Sequence, residues 1–393
     1  MARHLPVPAC CATLRILTLA IKVDAANKVG LLKALFKVTD WFSFTPLQWY
    51  PICRHSQASF QNRRPSAAER KIVLITKAPQ LNQVELDSLL GFASDDDSHV
   101  PYMKRTRDWY MALGYNNPYR YAHYIDVPFQ PLKKALSEST VTLMTTAAPF
   151  QPDKGPQGPG APYNSAAKFF VPYEMDTSKD HDVRVSHVAI DRIHTSMEDS
   201  NSWFPLPLMR KLAAQGRIGK LAKNFHGVPT NRSQRHTIEI DIPMIIERCK
   251  SDGVDVAILI PNCPICHQSM CLTARALEAA GISTVVMGCA KDIVEHVGVP
   301  RFVFSDFPLG NAAGKPKDAA SQAATLELAL KLLETAPSPR TTVQSPQRWS
   351  DSHLWKLDFS NIDRVSAAEV ALLRVESDKA KATAMAIRRA TVA

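Results

Sequence analysis

The chain has 393 residues, with 47 lysines and arginines against 37 aspartates and glutamates, for a formal charge of +10. That length allows a large core and two or more domains; the basic excess gathers in segments such as Arg63-Arg64 and Lys379 to Arg389, without the interleaved cations and aromatics a nucleic-acid face requires. No apolar run approaches the roughly 18 residues needed to cross a bilayer, and eight cysteines at irregular spacing, five of them between Cys249 and Cys289, do not make a secreted disulfide framework and fit a reducing cytoplasm.

Residues 1–99 are weakly patterned and are read as an N-terminal extension, disordered in part. Cys10 to Val23 is broken by Arg15 and Lys22, so it does not read as a targeting segment. Ile72 to Thr76 reads as an isolated strand, Cys53 has no partner at a telling spacing, and Asp95-Asp96-Asp97 marks a boundary. An α/β domain is expected over 100–336, followed over 337–393 by a linker at Pro337-Ser338-Pro339 and a charged, alanine-rich helix from Ala367 to Ala390 that packs on a partner.

Tyr102 to Tyr110 predicts a short helix stopping near Gly114, and the aromatic stretch Pro118 to His123 that follows reads as a packing arm or as a lid over substrate. Val141 to Thr146 is the first strand, with Thr145 and Thr146 at its end. Gln151 to Pro162 is a Gly/Pro loop without phosphate-binding spacing. Val183 to Ile190 is read as the second strand, placing Asp191 and His194 just beyond its end. His194 and His226 each read as a general acid–base or as hydrogen-bonded structure. Leu206 to Gln215 and Met244 to Lys250 show helical periodicity, with loop between them.

The centre of the chain is Asp255 to Cys289. Val256 to Ile260 is a continuous apolar strand closed by Pro261, a helix runs from near Gln268 to Gly281, and Ile282 to Met287 is the next strand. Between them lies Asn262-Cys263-Pro264-Ile265-Cys266-His267. Two cysteines three positions apart at a helix N-terminus suit thiol chemistry, because backbone N–H groups and the helix dipole favour thiolate. A zinc site recruiting Cys263, Cys266, His267 and either Cys271 or Cys289 lacks a second ligand pair, and no metal is assigned. Buried structural cysteines are the third reading, and it suits Cys249 and Cys271 best. Lys291 to Val297 is helical, Arg301 to Phe304 is a strand, and Asp306 opens a loop of small residues before the helix Ala319 to Glu334.

Alternating strands and helices predict a doubly wound, mostly parallel sheet with helices on both faces, flavodoxin- or Rossmann-like. Its carboxyl edge would collect Thr145, Thr146, Asp191, His194, Asn262, Cys263, Cys266, Cys289 and Asp306.

The passages YMKRTRDWYMALGYNNPYRYAHYIDVPFQPLKKALSESTVTLMTTAAPF, IDRIHTSMEDSNSWFPLPLMRKLAAQGRIGKLA, VAILIPNCPICHQSMCLTARALEAAGISTVVMGCAKDIVEHVGVPR and FSDFPLGNAAGKP resemble the selenoprotein B component family of glycine, sarcosine, betaine and D-proline reductases. The likeness runs from about Val100 to near Met385 and is nearest to the D-proline reductase branch. In that family the turn carries a selenocysteine, and Cys263 stands at its position. The resemblance implies that Cys263 attacks the carbon beside nitrogen in reductive C–N cleavage of a small amino acid or amine and that Cys266 resolves the adduct; Asp191, Thr145, Thr146, Asp306, Asn262 and Cys289 are expected around the substrate from their place at the sheet edge. It further implies an oligomer, a thiol reductant, and a pyruvoyl group on a separate subunit, with no cofactor held by this chain. Since an ordinary cysteine is mostly protonated at neutral pH, Cys263 needs activation by the helix terminus or His267. Two other functions remain open on the residues alone: a cofactor-independent racemase or lyase using Cys263 and Cys289, and a non-enzymatic binding module at the same edge.

Overall fold

Apolar, β-branched runs dictate the centre of the molecule. In the computed structural model, which describes residues 98–185 and 187–392, β1 (Thr140–Thr145), β7 (Val256–Ile260), β8 (Ser283–Gly288) and β9 (Arg301–Phe304) are buried at every position. Strands with no solvent-facing residue must be covered on both sides. Burying side chains such as Leu143, Ile258 or Phe302 contributes about 1.5–3 kcal/mol each. The expectations for Cys10 to Val23, Cys53, Ile72 to Thr76 and Asp95-Asp96-Asp97 lie outside the described residues.

The main sheet has the order β10-β9-β8-β7-β1-β6-β3, with β5 (Lys220–Leu221) also on β1. All its pairings are parallel except that of β3 (Tyr173–Asp176) with β6 (Asn224–Gly227). The α-helices of the described residues are α1 (Tyr102–Ala112), α2 (Leu206–Ala214), α3 (Gln234–His236), α4 (Ile242–Ser251), α5 (Pro264–Ala279), α6 (Lys291–Val297), α7 (Ala319–Thr335) and α8 (Ala367–Val392). A π-helical turn, Thr237–Asp241, joins α3 to α4. Helix α5 packs on β7, β8, α4 and α6, whereas α7 packs on β8 and β9 and is tied to the end of α2 by ion pairs of Arg217 with Glu327 and Glu334. The architecture is the expected doubly wound, mostly parallel α/β sheet.

Three features differ from the sequence reading. Among the described residues of the expected second strand, only Val183–Arg184 (β4) is in a strand, and it pairs with β2 (Ala148–Pro149) in a ribbon of its own. The place beside β1 is taken by β6, whose short Asn-Phe-His-Gly run carries too little apolar pattern to announce a strand. The segment read as linker and tail supplies β10 (Thr341–Gln344), the edge strand beside β9. Finally, α5 starts at Pro264 rather than near Gln268, because proline's fixed φ suits the first helical position and Cys263 caps it by accepting the Cys266 N–H.

Chain direction sets the binding crevice. From β1 the chain passes through α2 to β6 on one side; from β6 it returns through α4 to β7 on the other side of β1. The carboxyl ends of β1 and β7 therefore diverge at a switch point, where open α/β sheets bind ligands. Thr146 and Asn262-Cys263 stand there.

Candidate active site

Thr146 organises the switch point. Its Oγ1 accepts from the Asn262 backbone N–H (3.3 Å) and Nδ2 (3.2 Å), and its carbonyl accepts from His187 Nε2 at 2.8 Å. Thr145 Oγ1 accepts the Ala147 N–H at 3.1 Å and so shapes the turn after β1. These bonds hold the Asn262-Cys263 turn and His187 against each other.

The sulfurs of Cys263 and Cys266 lie 2.6 Å apart, so the ordinary S–S bond length of about 2.05 Å is within reach of a small shift. Cys266 N–H points at Cys263 Sγ from 3.3 Å. His187 Nδ1 is 3.7 Å from Cys266 Sγ, and the ligating atoms of His187, Cys263 and Cys266 all lie within 4.8 Å of one another. Burial opposes a Cys263 thiolate, but the Cys266 thiol, the His187 charge and the Cys266 N–H outweigh it and hold Cys263 well below the usual thiol range. Burial and the neighbouring thiolate push Cys266 well above that range. The surroundings thus favour thiolate at Cys263 and thiol at Cys266, the division expected of an attacking and a resolving thiol.

Cys263 opens into a cavity of about 430 Å³. Tyr110, Tyr115, Tyr119 and Tyr163 supply aromatic walls, and Lys168, Arg232 and Lys381 bring cations. Arg232 bonds Tyr110 and adopts a left-handed backbone with φ 56°, a strained conformation of the kind that functional sites retain. Burial and the repulsion of Arg232 push the Lys168 ammonium down to about 8. Helix α8 forms part of the cavity's wall: Tyr115 bonds Ser377 and Asp378, and Lys381 lies over the Tyr115 ring.

His267 lies beside the turn but does not address the sulfurs. Its Nδ1 donates to the Cys263 carbonyl at 2.8 Å, and Nε2 accepts from the N–H groups of Cys289 (3.1 Å) and Ala290 (3.2 Å). Burial pushes its pKa down to about 4, which keeps it neutral. The imidazole that faces the thiols is His187, in place of the expected His267. Sequence reading missed it because alternation across 183–190 suggested a sheet strand, and its contacts are separated from it by 41 and 79 residues. Lys168, Arg232 and Lys381 were missed as well, since each stands in a segment without a motif. Arg232, directly before the Ser233 helix cap, was the one available signal.

The remaining expected residues gather elsewhere. Asp191 Oδ1 caps the turn by accepting the N–H groups of Ile193 and His194, while His194 Nε2 meets Asp358 at 2.8 Å. Asp306 pairs with Lys356. Cys289 is 3% exposed, and its thiol is pushed up to about 12 by burial. Asp191, Asp306 and Cys289 lie around the buried Tyr102, whose phenol burial and these neighbours push up. The expected single convergence is two: Thr146, Asn262, Cys263 and Cys266 at the cysteine turn, where Cys263 lines the cavity, and a second group around Tyr102 of α1.

Fold and crevice together define a doubly wound α/β protein with a paired-thiol centre at its topological switch point. Over 221 residues, 56% of this chain and 88% of the relative, the sequence is 31% identical to the D-proline reductase subunit gamma of Acetoanaerobium sticklandii. It is 28% identical over 223 residues to a glycine reductase complex component B subunit gamma of Carboxydothermus hydrogenoformans, and 25% identical over 225 residues to a sarcosine reductase complex component B subunit beta of Peptoclostridium acidaminophilum. These matches take in 55% and 56% of this chain, which spans about half the length of those two relatives (50% of each). No family model and no solved structure matches the chain. The chain belongs to the selenoprotein B component family of glycine, sarcosine and D-proline reductases, and of these three relatives the D-proline reductase subunit shares the highest identity. Among the described residues, no helix is long and apolar enough to cross a membrane.

Proposed function

We propose that this chain is a reductase subunit that cleaves the C–N bond of a small amino acid with the Cys263/Cys266 thiol pair. The observation that carries the reading is the pair itself: two sulfurs 2.6 Å apart at the switch point, the first opening into a cavity that bears cations and tyrosines. Arg232 and Lys168 are assigned to the substrate carboxylate, which places its α-carbon toward Cys263. The Cys263 thiolate attacks that carbon, an S–C bond forms, and the C–N electron pair leaves on nitrogen with a proton from Lys168. Cys266 then attacks Cys263 sulfur; an S–S bond forms, the S–C bond breaks, and the proton of the Cys266 thiol passes to carbon. Two electrons pass from the dithiol to the substrate, and a thiol reductant restores the pair.

Nitrogen must be activated before it can leave, and the reading assigns this to a pyruvoyl group on a partner subunit rather than to a group bound by this chain. Partner subunits fit the relatives, which are named as subunits of reductase complexes. The two-cysteine racemase draws no support, since Cys289 does not line the cavity.

A bromoacetate probe tests the reading without the partner, because bromide leaves unaided. Cys263 should be alkylated with saturation kinetics and faster by bromoacetate than by neutral bromoacetamide, a preference that Arg232→Ala reduces. Non-saturating alkylation, or equal rates for the two reagents, contradicts it.

A further inference from the structure

The same crevice holds a second capability that no thiol reduction requires. We infer that His187, Cys263 and Cys266 form a three-ligand site for a soft divalent cation such as Zn²⁺, with the fourth coordination position facing the cavity.

The chemistry of the donors carries it. His187 Nε2 bonds the Thr146 carbonyl at 2.8 Å, so in the neutral ring that nitrogen holds the proton and Nδ1 presents its lone pair to the sulfurs, 3.7 Å from Cys266 Sγ. A backbone carbonyl on the far nitrogen is the usual partner that orients a metal-binding imidazole. With bonds of about 2.3 Å to sulfur and about 2.0 Å to nitrogen, a tetrahedral ion needs nitrogen and sulfur about 3.5 Å apart and the two sulfurs about 3.7 Å apart. The first spacing is met to Cys266 at 3.7 Å, and Cys263 Sγ lies within 4.8 Å of the His187 ligating atom. The second needs the sulfurs to part by about 1.1 Å from their 2.6 Å separation, a side-chain movement at the helix N-terminus that Cys263 Sγ caps.

Three protein ligands and one open position is the pattern of an accessible zinc rather than a closed structural one. Cys266 releases its proton on binding and no electron moves. Metal and the Cys263–Cys266 bond exclude each other, because both use the same sulfur lone pairs. The cation would hold the pair reduced and inactive until a chelator or a competing thiol removes it.

The test uses the full chain, reduced with a phosphine and stripped of metal, titrated with Zn²⁺ against a chromophoric chelator. One Zn²⁺ per chain is expected, with Cys263→Ser and Cys266→Ser each weakening affinity on the order of 100-fold or more and His187→Ala about 10-fold or more. The Co²⁺ form should show intense thiolate-to-metal absorption that vanishes when the pair is oxidised. Absence of stoichiometric binding, or affinity unchanged in the Cys263→Ser/Cys266→Ser double variant, overturns the site; circular dichroism of each variant shows that it is folded. Mapping the Cys263–Cys266 bond in the metal-free protein is a separate readout, so a failed metal site leaves the thiol reaction standing, and the converse also holds.

Discussion

Cys263 has three sources of help: the Cys266 thiol, the Cys266 N–H and the His187 ring. Of these only His187 carries a removable charge. In the presence of a chelator, His187→Gln is expected to slow alkylation of Cys263 at pH 6.5 by about tenfold or more, since each unit of thiol pKa is a factor of ten in thiolate below that pKa. An unchanged rate assigns the activation to the Cys266 thiol and N–H. Lys168 sets the opposite limb. Its ammonium, pushed down to about 8, is charged below that pH and neutral above it, so affinity for a carboxylate should weaken as pH rises through about 8. Binding of a carboxylate probe measured from pH 6 to 10 should show that limb in the wild type and lose it in Lys168→Met; the same limb in the variant would remove Lys168 from recognition.

At the scale of elements, the turn depends on close approach between β8 and α5. A Cβ on Gly288 would meet His267 Nε2 at 2.8 Å and Phe302 Cε2 at 3.3 Å. Gly288→Ala should therefore cost about 1–3 kcal/mol by overpacking and displace the ring that fixes the Cys263 carbonyl. Urea denaturation checks the first effect and the Cys263 alkylation rate the second; wild-type values for both would show that the ring has room to move. The same elements show how far sequence reaches. Continuous apolar runs predict β7 and β9 to the residue and β1 and β8 within one position, because both faces of those strands are buried. The pattern fails at Val183 to Ile190, where alternation follows partial burial in a loop rather than a place in the sheet, and at Asn224 to Gly227, where the strand is too short to show a period. His187, Lys168 and Arg232 reach the cavity from loop segments whose path is set by tertiary contacts, so local pattern holds no trace of them.

Across the whole molecule, the pH response of stability follows from buried histidines. His226 and His267 are both pushed down to about 4 by burial, whereas an unfolded histidine takes its proton near 6.5. Between those values the unfolded chain binds more protons than the folded one, so stability is full above about 6.5 and falls as pH drops toward 4. Each displaced unit corresponds to about 1.4 kcal/mol. The urea midpoint should decline over this window, and His226→Phe should flatten the decline; a flat wild-type profile would mean that the rings are protonated in place. The two histidines support the sheet from opposite sides of β1, one in β6 and one behind the cysteine turn, so acid should loosen the crevice and the core together.

The proposed chemistry requires one ionised sulfur next to its partner. Alkylation of the reduced, metal-free chain by a small neutral haloacetamide, followed by mass mapping from pH 4 to 10, measures this directly. Cys263 is predicted to react first, with a midpoint well below the ordinary value of about 8.5, and mild oxidation beforehand should protect it in a bond to Cys266. A midpoint at the ordinary value, or oxidation that leaves Cys263 and Cys266 unlinked, would contradict the account.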